Sequence, residues 1–198
     1  HRIEGIGDKH IPWIHNMRET DMAIGVDDEL PIRLIRLFNE PAGHKLLAEN
    51  GVSASDIAKL PLMGISGVGN LLGAIKMAKY YEMDDTDIVF TMFTDSMDMY
   101  ASRISEMDAE RGMYDQRQAD RDYDRLMGTS VDHVLELSQV DKRRVHQLKY
   151  FLWIEQLGKS VDELRAQWDD HRTYWGSLRG QAAELDVMIK DFNAEVLR

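Results

Sequence analysis

All four prolines of this 198-residue chain, Pro12, Pro31, Pro41 and Pro61, lie in its first third, and nine of its fourteen glycines fall within the first hundred residues. Proline removes a backbone donor and glycine carries extra conformational entropy, so these residues punctuate regular structure. Their clustering divides the chain into a turn-rich N-terminal part and a polar, glycine-poor remainder that reads as helical. The change of character sets two expected domains, residues 1–107 and residues 108–198.

Within the first part, Asp21–Val26 (DMAIGV) is a short apolar run bounded by polar residues and reads as a buried strand. Asp27 or Asp28 can cap a following helix, with Pro31 tolerated in its first turn and Ile32, Ile35 and Leu37 or Phe38 on its inner face. Ser53 or Ser55 is a second cap, and Pro61 ends that segment. Asp87–Phe93 (DIVFTMF) is dense in β-branched and aromatic residues and reads as a second strand. Thr94–Ser96 then turns the chain into a helix with Met97, Tyr100, Ile104 and Met107 on one face. Strand, helices, strand and helix in this order predict an α/β fold in which the two strands are parallel neighbours, since parallel pairing requires a crossover.

In the tail, Asp141–Leu157 predicts a strongly apolar helix, and Ser160–Glu163 carries a capping-box pattern. Leu178, Ala182, Leu185, Ile189, Phe192 and Val196 alternate spacings of four and three, which is a seam for lengthwise helix packing. The expected partner is the helix at Val145–Leu157 of the same chain, which would otherwise expose Phe151, Trp153 and Ile154; the same helix of a second copy is the alternative.

The formal net charge of −11 disfavours nucleic acid or an anionic membrane surface as the main partner. The absence of cysteine excludes disulfides, thiolate nucleophiles and cysteine-type zinc sites. No apolar run approaches the length of a membrane span, and the N-terminus lacks the pattern of a signal peptide, so a cytoplasmic location is expected. The chain begins with His1, not Met, and reads as a processed product, a fragment or half of something longer. His10 and His15 do not have metal-ligand spacing, and no metal site is expected.

The stretch that carries the candidate chemistry is Leu62–Tyr81 (LMGISGVGNLLGAIKMAKYY), where Gly64, Gly67 and Gly69 surround Ser66 ahead of a helical pattern. A glycine-lined helix start lets backbone approach a flat or anionic ligand, and Ser66 suits an N-cap. Together with His1–Pro12 (HRIEGIGDKHIP) and Asp87–Tyr100 (DIVFTMFTDSMDMY), this stretch resembles the C-terminal half of a fold-type-II pyridoxal-phosphate-dependent enzyme of the cysteine-synthase and tryptophan-synthase-β kind. That family carries H-K-I-Q-G-I-G, G-I-S-S-G-A and P-[DS]-S-G-E-R-Y motifs in the same order. The likeness covers roughly the first half of the chain.

The resemblance implies part of a parallel sheet with flanking helices, followed by an α-helical C-terminal extension. It implies pyridoxal 5′-phosphate as cofactor, with Ser66 at the pyridine nitrogen, Gly5 and Gly7 beside the cofactor, and Gly64, Asp95 and Ser96 completing the wall. A neutral hydroxyl at that nitrogen suits elimination or replacement at the β-carbon of an amino acid. Gly67-Val68-Gly69 departs from the family's Ser-Gly-Ala, and Glu4 from its glutamine. The lysine that anchors the cofactor and the phosphate loop would lie upstream of His1, and Lys9, Lys45, Lys59, Lys76 and Lys79 do not fit the lysine motif. The implied partners are therefore the upstream half of the same enzyme, an amino-acid substrate and a further copy in a homo-oligomer. No catalytic residue is assigned, and the chain alone is expected to be inactive.

Two other readings stay open. One is a non-catalytic helical interaction module on a remnant of that fold. The other is a nucleotide-binding domain using Gly64–Asn70, although neither a P-loop nor a dinucleotide turn is spelled there.

Overall fold

The structure, a computed structural model, describes residues 2, 3, 6, 7 and 9–196. The chain forms two compact units: His1–Asp8 with Ala23–Leu135, and Lys9–Met22 with Glu136–Arg198. It is 64% helical, and its one sheet among the described residues is a two-stranded antiparallel pairing of β1 (Met22–Ile24) with β2 (Val134–Glu136). The expected parallel sheet is absent. Gly25 N–H donates to His133 O at 2.8 Å and Leu137 N–H to Asp21 O at 2.8 Å, which fixes the antiparallel register.

Asp87–Phe93 is the reason the parallel sheet fails. It has no regular structure, no strand among the described residues lies beside it, and its Ile88 and Phe90 are 88% and 89% exposed. β-Propensity measures fit to a pleated neighbour, and without that neighbour the same residues make an open segment.

The first unit is built around α1 (Glu29–Asn39). Asp28 starts it, and the Asp27 carboxylate accepts from Glu29 N–H at 3.0 Å. Leu34, Ile35 and Leu37 are wholly buried, and they pack with Val68 and Leu72 of α4 (Ile65–Tyr80) and Ala119 of α6 (Gln116–Met127). Each such side chain contributes about 1.5–3 kcal/mol by burial. Pro41 forces Glu40 out of helical geometry, so the chain turns sharply into α2 (Pro41–Glu49). At that corner a Cβ on Gly43 would lie 2.0 Å from Leu37 O. The short α3 (Ala54–Ile57) starts on Ser53, whose hydroxyl accepts from Asp56 N–H. The helix α5 (Ala101–Arg111) adds Met107 to the same core and ends at Gly112, φ +80°. Residue 107 thus lies within a helix of this unit.

Two buried cations of this unit, Arg36 and Lys76, have partners. The Arg36 guanidinium lies 4.7 Å over the Tyr114 ring, pairs with Asp108 and donates to Gly112 O at 2.9 Å. Lys76 Nζ donates to Gly25 O, Asp132 O and Asp132 Oδ1, each at 2.8 Å, tying α4 to the loop before β2.

The second unit joins a short N-terminal segment to α7 (Gln139–Gln147), α8 (Val161–Asp169), α9 (His171–Gly180) and α10 (Ala182–Val196). The Ser138 and Ser160 hydroxyls cap α7 and α8. The apolar helix expected over Asp141–Leu157 instead breaks after Gln147 and passes into a π-turn at Tyr150–Ile154. At its centre Lys149 is fully buried, with Nζ donating to Trp13 O at 2.9 Å, His15 O at 2.7 Å and Gln167 Oε1 at 2.8 Å. The Trp13 and Trp175 rings flank it at 6.0 and 5.7 Å, and all four tryptophans of the chain belong to this unit.

The packing expected of the last helix does not form. No residue of α10 is buried, and Leu185, Ile189 and Phe192 are 49%, 56% and 65% exposed. Among the described residues no single helix is long and apolar enough to cross a membrane.

Candidate functional site

Gly64 begins the site. It is the N-cap of α4, extended at φ −74° and ψ −176°, and its N–H donates to Asp95 O at 2.9 Å. That bond ties the helix start to the turn after the open segment. A Cβ on Gly64 would lie 2.0 Å from Asp95 Oδ1 and 3.0 Å from the Tyr100 ring, so the approach requires glycine.

The cap expected of Ser66 is therefore absent. Ser66 sits at the second helical position, 7% exposed, and among the described residues its hydroxyl has no hydrogen-bond partner. It lines a cavity of about 380 Å³ with Arg2, Ile3, Ile6, Thr94, Asp95, Tyr100 and Arg103. The backbone alone caps the helix, which leaves the hydroxyl available to a ligand.

Asp95, from the other motif, lines the same cavity. Its Oδ2 accepts from Tyr100 O–H, whereas its Oδ1 is buried without a partner. Donation to Asp95 raises the Tyr100 pKa above its ordinary value, so the phenol stays protonated and holds the carboxylate in place. The buried Asp95 Oδ1 is an acceptor still lacking a donor.

The remaining sequence-predicted residues are more scattered. Gly7 donates its N–H to Ile3 O at 2.7 Å and lines an adjacent cavity of about 440 Å³ with Gly69, Asn70 and Gly73. Ser96 lines neither cavity and donates to Asp98 Oδ2 at 3.2 Å. Gly5 lies outside the described residues. A Cβ on Gly67 would meet Phe93 at 3.2 Å, and one on Gly69 would meet Ile6 at 3.3 Å, so the glycine face of α4 receives both neighbouring motifs. The cavity thus joins elements of all three motifs within one unit.

Sequence reasoning missed Arg2, Tyr100 and Arg103. Tyr100 stands five residues after Asp95 across a helical turn, and that spacing was the available signal. Each arginine already has an acidic partner, Arg2 with Glu29 at 3.0 Å and Arg103 with Glu106 at 2.8 Å. Comparison of the chain with protein-family models, characterised proteins and solved structures finds no match.

The chemistry of the lining bears on pyridoxal phosphate. A hydroxyl without a protein partner suits a neutral ring nitrogen, whereas the space over Gly64 is filled by the Asp95 carboxylate and the Tyr100 ring. Among the described residues that line the cavity there is no lysine, so these would not hold the cofactor covalently. Among the described residues no three metal-ligating side chains converge.

Proposed function

We propose that the cavity at the start of α4 is one wall of the cofactor site of a pyridoxal-phosphate-dependent enzyme of the cysteine-synthase type. The complete enzyme acts on an amino acid by β-replacement or elimination, and an upstream half supplies the anchoring lysine and phosphate loop. The observation that carries this reading is Ser66, left out of the helix cap and lining one cavity with Asp95 and Tyr100. When bound, pyridoxal phosphate supplies the electron sink for loss of the β-substituent. Ser66 would hydrogen-bond the ring nitrogen without giving it a full positive charge, and Tyr100 keeps Asp95 oriented. The exposed Ile88, Phe90 and Met92 support a further polypeptide segment that covers the open stretch.

Pyridoxine 5′-phosphate, which lacks the aldehyde and cannot modify lysines, is the probe. Titrated into the isotope-labelled chain, it is expected to shift the amides of Ile65–Val68 and Asp95–Tyr100 saturably. Ser66→Ala should weaken that binding roughly three- to tenfold, the worth of one hydrogen bond. Shifts elsewhere only, or indifference to Ser66→Ala, would remove the reading. With pyridoxal phosphate itself, borohydride reduction and peptide mapping should find lysine adducts scattered over the surface. One saturable adduct, abolished by a single Lys→Ala change, would make the chain self-sufficient.

The second reading, a helical interaction module, is favoured by one observation of its own, the uncovered stripe of α10.

A further inference from the structure

The second unit carries both halves of an unmade contact. The first is α10, whose Leu185, Met188, Ile189, Phe192 and Val196 recur at spacings of three and four and are 49–66% exposed. On a helix of 3.6 residues per turn these residues form one stripe. Glu184, Asp191 and Glu195, spaced seven and four apart, run along one border of it. With Asp186 included, α10 carries four acids against the single base Lys190.

The second half is a groove of about 540 Å³ between α7, the π-turn and α8. Leu164 and Trp168 form its floor, while Leu148 and Phe151 in its walls are 48% and 58% exposed. Arg143, Arg144 and Arg165 lie on its rim against the single acid Asp169. Among the described residues Arg144 and Arg165, themselves exposed, pair only with local partners, the half-buried Asp141 at 3.2 Å and the exposed Asp162 at 3.5 Å, and such surface pairs contribute little.

We propose that α10 is the docking helix of a homodimer, its Leu185–Val196 stripe seated in the arginine-rimmed groove of a second copy. Charge complementarity selects the occupant, because an acidic amphipathic helix meets a basic-rimmed apolar groove. Chain geometry selects the second copy over the helix's own groove. Only Gln181 separates α9 from α10, and it is itself helical (φ −73°, ψ −14°), so no loop reverses the chain. Each copy offers one helix and one groove, and a two-fold arrangement fills both at once. This contact is independent of the cofactor reading, since all of its residues lie in the second unit.

The test is sedimentation velocity on the full chain over a wide concentration range, with variants at side chains exposed enough to be replaced without unfolding. The wild-type chain should dimerise reversibly, and added salt should weaken the dimer. Leu185→Asp disables the helix and Phe151→Asp disables the groove, so each should weaken self-association at least tenfold. Mixed together, the two variants should form a heterodimer that neither forms alone, because one intact helix then meets one intact groove. A wild-type chain that stays monomeric overturns the proposal. So does a dimer that Phe151→Asp leaves unchanged, which would place α10 against α10. A mixture without complementation also overturns it.

Discussion

Gly43→Ala is expected to destabilise the first unit by about 3 kcal/mol or more, a large loss for one methyl group. The added carbon would stand 2.0 Å from Leu37 O and 2.7 Å from Leu37 C. These are backbone atoms of α1, so no rotamer change relieves the clash and the α1–α2 corner must open. Hydrogen exchange over residues 29–49 measures the effect, with exchange roughly a hundredfold faster in the variant. Gly73→Ala is the control of opposite sign. Its Cβ would meet nothing within 4 Å on α4, and replacing a helical glycine there should stabilise by about 0.5–1 kcal/mol. Equal behaviour of the two variants would refute the steric account.

Lys149→Met should cost the second unit about 3 kcal/mol. It removes the burden of burying a charge, but leaves Trp13 O, His15 O and Gln167 Oε1 without their donor, at about 1–3 kcal/mol each. The tryptophans all belong to this unit, so their fluorescence in a urea titration follows it directly. Burial also pushes the Lys149 pKa down to about 8. The folded value is then below the unfolded one, so above pH 8 the unfolded chain holds a proton that the folded chain has released. Stability should therefore rise with pH through this window, by about 2 kcal/mol between about pH 8 and pH 9.5 at most. Lys149→Met should lack the rise. A wild-type curve that is flat or falling over that interval would show that the ammonium stays charged in its cage of acceptors.

Local chemistry was legible where it depends on neighbours in sequence. Asp28 at the start of α1, Pro31 in its first turn, and the Ser53 and Ser160 caps each follow from one or two adjacent residues. What depended on distant pairing was not legible. Val134–Glu136 becomes a strand because it meets Met22–Ile24, and three residues carry no periodicity of their own. Asp87–Phe93 has the composition of a strand and lacks the partner that would make it one. At the candidate site, Ser66 and Gly64 compete for the same cap, and the bond from Gly64 N–H to Asp95 O decides it. That bond joins residues thirty-one apart, beyond the reach of any local pattern.

The interleaving of the two units bears on how the protein is made. Met17 packs with Leu137 and Trp168, and Trp13 bonds Glu163 and meets the Trp153 ring, with the first unit's main segment, Ala23–Leu135, synthesised in between. At about 5–20 residues per second, a ribosome needs roughly 6–20 seconds to make those ~110 residues. Throughout that interval Trp13 and Met17 lack these later partners, while the first unit can already close around α1. The nascent chain therefore emerges with one finished unit and a waiting apolar segment, the state that a chaperone near the exit tunnel would meet.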